Sequence, residues 1–78
     1  MEDFKIQDQS LDTIKQVRDL CIHIVSNDDL RVFESIKNQI DTEGDWRLIS
    51  NRDDQIIQRN RNHIMVTSGY KSTIYKIR

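Results

Sequence analysis

The hydrophobic repeat of this chain changes once, at Gly44 to Trp46, and that change limits the folds open to it. Before it, Leu11, Ile14, Val17, Cys21, Ile24 and Val25 recur at steps of three, four and one, which places one stripe on one helical face. The spacing predicts a helix over about 10–26, with Ser10 as N-cap and Asp12 in the first turn, and with Leu20 and Ile22 widening the stripe. Ser26 and Asp29 then have capping-box-like spacing, S-x-x-D, and open a second helix over about 28–43. Its stripe is Leu30, Phe33, Ile36 and Ile40, and Gly44 suits the left-handed residue just beyond the helix end. So tight a break predicts an antiparallel helix hairpin. Phe4 to Gln7, ahead of both, reads as an edge strand or a frayed terminus.

Beyond Gly44 the period becomes that of strands. Residues 46–50, 55–58, 63–67 and 72–77 are short, β-branched runs, with a single helical turn as the alternative at 55–58. Asn51-Arg52-Asp53-Asp54 has turn composition, and Ser68-Gly69-Tyr70-Lys71 reads as a hairpin loop. The expectation is one α+β domain over 1–78: an N-terminal helix hairpin packed on one face of a three- to four-stranded antiparallel β-meander. The register of the last hairpin stays open, because a slip of one residue exchanges its two faces.

Seventy-eight residues are near the lower limit for a self-supporting core, so a homodimer that covers apolar surface is one expectation. Cys21 is the sole cysteine, which excludes an intramolecular disulfide and a cysteine-based zinc knuckle. The start of the sequence lacks a signal-peptide pattern, and no apolar run approaches the roughly 20 residues of a membrane span. These features predict a soluble protein of a bacterial or host-cell cytoplasm, without a membrane partner. Alanine and proline, whose codons are GC-rich, are both absent while isoleucine recurs, which points to an AT-rich source such as a phage or a low-GC bacterium.

Charge divides where the period changes. Through Asp45 the chain carries eleven acidic and five basic residues, and from Trp46 onward seven basic and two acidic, so the net −1 conceals halves of −6 and +5. Three readings follow. The halves can neutralise one another within the fold. The basic half can hold a phosphate backbone, with Arg52, Arg59, Arg61, His63, Lys71 and Lys76 as contacts and Tyr70 as a stacking ring. Or the acidic helices, through Asp19, Asp28, Asp29 and Glu34, can meet a basic surface on a host protein, as a mimic of nucleic acid does. A sequence pI near 6.0 counts against a dedicated nucleic-acid module, since such domains commonly run above about 9.

Catalytic chemistry has little to stand on. Cys21 and His23 diverge on a helix, and Cys21 on the apolar stripe reads as a small core residue. His63, beside Arg61 at a strand entrance, reads either as a ligand contact or as a solvated surface residue. The Asp28-Asp29 and Asp53-Asp54 pairs suit caps and turns, and two histidines without a companion cysteine make no zinc site. No phosphate loop or nucleophile elbow occurs, so no catalytic, metal or cofactor residue is assigned. Trp46, alternating with Leu48, reads as a core-edge ring, whereas Tyr70 in its loop is the better contact residue.

Two outlines keep nucleic acid in view. A helix hairpin followed by a sheet bearing Arg59, Arg61, His63 and Tyr70 resembles the small messenger-RNA-cleaving toxins of toxin–antitoxin pairs, through topology and the Ser68-Gly69-Tyr70-Lys71 stretch. That resemblance implies general acid–base cleavage of RNA on the sheet. The chain departs from such toxins in lacking their strongly basic balance. A winged-helix arrangement requires a third, recognition helix near 53–60, with Gln55, Gln58, Arg59 and Arg61 toward the groove. The leading expectation is a non-enzymatic binding protein of phage or mobile-element character that regulates or inhibits a host macromolecule through a charged face. A small nucleic-acid-binding regulator is the alternative, and an RNA-cleaving toxin a lesser one.

Overall fold

A computed structural model describes residues 13–52 and 54–78. Among these residues seven elements follow one another: helix α1 (Ile14–Leu20), strand β1 (Cys21–Ser26), helix α2 (Leu30–Asp41), then strands β2 (Arg47–Arg52), β3 (Gln55–Arg59), β4 (His63–Ser68) and β5 (Lys71–Ile77). The strands form one antiparallel sheet in the order β1-β5-β4-β3-β2. The fold is therefore α+β, and the four strands expected after Gly44 occur within two residues of their expected bounds.

The first helix is the correction. Where a helix over 10–26 was expected, α1 ends at Leu20 and Cys21 to Ser26 form β1. Cys21-Ile22-His23-Ile24-Val25 satisfies a helical stripe, yet three of its residues are β-branched and rotamer-restricted in a helix. Pairing with β5 decides the conformation, by filling the ladder that β5 would otherwise leave open beside Ile74 and Ile77. The cap is Thr13, whose side chain accepts from the Gln16 amide, while Ser10, Leu11, Asp12 and the Phe4–Gln7 stretch lie outside the described residues. For α2 the cap is Asp29, which accepts from Val32 N at 3.3 Å, so the helix starts two residues later than expected. Gly44, at φ 134°, does occupy a conformation that suits glycine, just past the helix end.

With β1 inserted, the two helices do not form a hairpin over one face. Val17 of α1 packs with Cys21, Ile57, Ile64, Val66 and Tyr75, whereas Phe33 and Ile40 of α2 pack with Val25, Met65 and Ile74. Ile64 and Val66 alternate with Met65 along β4, so the clusters lie on opposite sides of the sheet. Each helix covers its own face. β1 serves both faces because its register shifts between His23 and Val25, which carries Cys21 to the α1 face and Val25 to the α2 face. Trp46 is half-buried against the α2 cluster and donates Nε1–H to Asp41 at 2.6 Å, in keeping with a core-edge ring. The 55–59 segment is a strand, so the recognition helix of a winged-helix arrangement is absent from that position. Among the described residues no helix is long and apolar enough to cross a membrane.

Candidate interaction surface

Three connections meet at one end of the sheet because β1, β4 and β2 all run toward it. They are the β1–α2 turn, the β4–β5 hairpin loop and the β2–β3 turn. The hairpin loop lies in the middle and is tied to both neighbours. Asn27 Nδ2 donates to the Tyr70 carbonyl at 2.7 Å and Asn27 N to the Ser72 carbonyl at 2.9 Å. On the other side, Gly69 N donates to the Asp54 carbonyl at 3.3 Å. Gly69 takes φ 63°, which permits so tight a two-residue loop. The outcome is a backbone held from two directions beneath a Tyr70 side chain that is 97% exposed.

Charges of both signs surround that ring. Asp28 accepts from Ser26 Oγ at 3.2 Å and pairs with Lys71 Nζ at 3.6 Å, Asp29 caps α2, and Asp54 is exposed. Across the α1 face at this end, Arg52 faces Gln55, Gln55 faces Ser68 and Ser68 faces Lys71 in unbroken register. Three strand spacings separate the first from the last, about 14 Å.

The remaining candidates are elsewhere. Asp19 is exposed on α1 and Glu34 on α2, so the sheet separates them, and the four acidic candidates share no single surface. Arg59 is only 7% exposed at the far end of β3, where burial lowers the proton affinity of its guanidinium. Arg61 is exposed in the β3–β4 connection. His63 opens β4 with Nδ1 3.6 Å from Glu43 Oε1, and its register partner Lys76 is exposed. Tyr70 and His63 thus mark opposite ends of the β4 strand, roughly 17 Å apart along it. The structure does not bring Arg59, Arg61, His63 and Tyr70 together.

A cleft of about 650 Å³ opens on the α1 face beside this loop end. Among the described residues, α1 has 7 residues and spans about 10 Å on this face, while the six residues of β4 span about 20 Å. Arg18 and His23 line it together with Gln55, Lys71, Tyr75 and Asp28. The His23 ring meets the Tyr75 ring edge-on at 5.6 Å. The sequence did not bring Arg18 and His23 together, because its spacing kept both on one continuous helix over 10–26.

Cys21 is buried and free, and burial raises its thiol pKa against a smaller lowering from Arg78. Its assignment as a core residue stands, although on a strand. Among the described residues no cluster of three or more His, Cys, Asp or Glu side chains is grouped to hold a metal ion. The ion pair of Lys71 with Asp28 joins the basic and acidic halves and offsets part of their charge within the fold. No protein-family model, curated protein or solved structure matches this chain.

Proposed function

We propose that this chain is a small non-enzymatic binding protein that regulates or inhibits a host macromolecule, engaging it through the loop end centred on Tyr70. One observation carries the reading: a tyrosine ring 97% in water stands on a backbone tied to both flanking turns. A loop whose backbone is already held loses little further backbone freedom on binding, which favours its tyrosine as an interface anchor. Asp28, Asp29 and Asp54 lie on the flanking turns and favour a basic surface on a partner protein, where the ring can also meet a cation face-on.

Capture from host lysate with the tagged chain is the test. One dominant protein should be recovered, and Tyr70→Ala should lose it while the far-ultraviolet spectrum and melting temperature are retained. Equal recovery by Tyr70→Ala would reject the loop end as the docking surface.

The row Arg52, Gln55, Ser68 and Lys71 beside Tyr70 supports a second reading, a nucleic-acid strand laid across the α1 face. An electrophoretic shift with random-sequence DNA and RNA at low salt, lost on replacing Arg52 and Lys71 with alanine, would select it over the protein partner. Absence of any shift at low salt rejects it.

A further inference from the structure

We propose that the cleft lined by α1 and the strands β1, β3, β4 and β5 binds a phosphate-bearing small ligand of nucleotide size. Its volume, about 650 Å³, falls inside the range of roughly 300–1,000 Å³ usual for small-molecule sites. Its donors come from separate elements: Arg18 from α1, Gln55 from β3, Ser68 from β4, and Lys71 with Thr73 from β5. A carboxylate has two oxygens to satisfy, whereas a phosphate group has three terminal ones and takes both a forked guanidinium and a point-charge ammonium. A bare phosphate would leave most of the cleft empty. The His23 and Tyr75 rings, edge-on to each other at 5.6 Å, line the same cavity, and the exposed His23 ring offers a surface for the base.

Among the described residues Asp28 is the one carboxylate lining the cleft, and its oxygen is 3.6 Å from Lys71 Nζ. It competes with the ligand for that ammonium. Neutralising Asp28 should therefore strengthen phosphate binding, while the same change should weaken docking of a basic protein at the loop end. The two readings are separable by this residue alone, and the cleft proposal does not depend on the Tyr70 surface.

The test titrates the full chain with adenosine monophosphate, adenosine and inorganic phosphate by calorimetry at low salt, with amide chemical shifts to locate binding. The monophosphate should bind saturably and shift His23, Lys71 and Thr73. Adenosine and inorganic phosphate should each bind at least about tenfold more weakly. Arg18→Gln and Lys71→Gln should each reduce affinity about tenfold, Asp28→Asn should raise it, and Tyr70→Ala should leave it unchanged. No heat with millimolar monophosphate, equal affinity for adenosine or for phosphate alone, or an Arg18→Gln protein that binds like the parent would each overturn the proposal. So would an RNA oligonucleotide that binds where the monophosphate does not, which would favour the strand reading.

Discussion

The side-chain amide of Asn60 donates to the carbonyl of Ile40 at 3.1 Å, and so joins the β3–β4 connection to the last turn of α2. The same nitrogen donates to the Gly44 carbonyl at 2.9 Å, while Asn60 Oδ1 accepts from Arg61 N at 2.6 Å. Asn60 is 4% exposed, so it satisfies helix-end and turn groups that water reaches poorly. One buried amide thereby holds α2 against the sheet just where the chain changes from helix to strand.

Replacing Asn60 with alanine should destabilise the fold by about 2–3 kcal/mol, because it leaves carbonyls and an amide without partners. Asn60→Asp keeps the acceptor and loses both donations, so it should be no milder. Urea unfolding followed by tryptophan fluorescence measures both, and a loss under about 0.5 kcal/mol for alanine would mean that water replaces the amide freely.

Cys21 sets a pH dependence. Burial raises its thiol pKa in the folded state, so the group favours folding fully below the unfolded value, about 8.5, and that contribution is lost as pH rises through the raised one. Stability should fall as pH rises from about 8.5 through the raised value, and Cys21→Ala should flatten that fall while costing stability at neutral pH. Alkylation by iodoacetamide at pH 8 should proceed only through unfolding, with a rate that tracks denaturant.

Asn27 bears on Tyr70 without touching a partner through its ring. Asn27→Ala removes the 2.7 Å bond to the Tyr70 carbonyl and should loosen the loop, costing about 1 kcal/mol in stability. If a pre-set loop is what the partner selects, its binding should weaken several-fold, chiefly through faster dissociation. Surface-resonance kinetics on the captured partner reads this directly, and unchanged dissociation would show that the loop conformation is immaterial.

Ile74 is fully buried against α2 and faces Met65 and Val25 across the sheet. Ile74→Ala should cost about 2–5 kcal/mol, enough to unfold much of so small a domain at 37 °C. Leu48→Ala, at a residue 61% exposed, should change stability by less than about 1 kcal/mol. Thermal denaturation of the pair checks whether the α2-face cluster carries the fold.

Much of the architecture was legible because two periods do not overlap after Gly44: the four later strands and α2 lie close to where spacing puts them. The segment 21–26 was not legible, since its apolar residues satisfy a helical stripe and a strand equally well. That ambiguity also concealed the cleft, as Arg18 and His23 meet it only once α1 stops at Leu20. Tyr70 could be singled out from its loop alone, whereas the ties from Asn27 and Asp54 that hold it belong to residues distant in the chain.

Local patterning by itself determined the helix of 30–41, the hairpin at Gly69 and the sites of charge along the chain. Tertiary structure decided the face each helix covers and the burial of Arg59, and it divided the acidic candidates between two sides of the sheet. The reason is that β5 required a partner on its outer side, and the nearest β-branched segment supplied it. With 21–26 as a strand, α2 packs on the other face from α1, and the register shift between His23 and Val25 lets one short strand serve both cores.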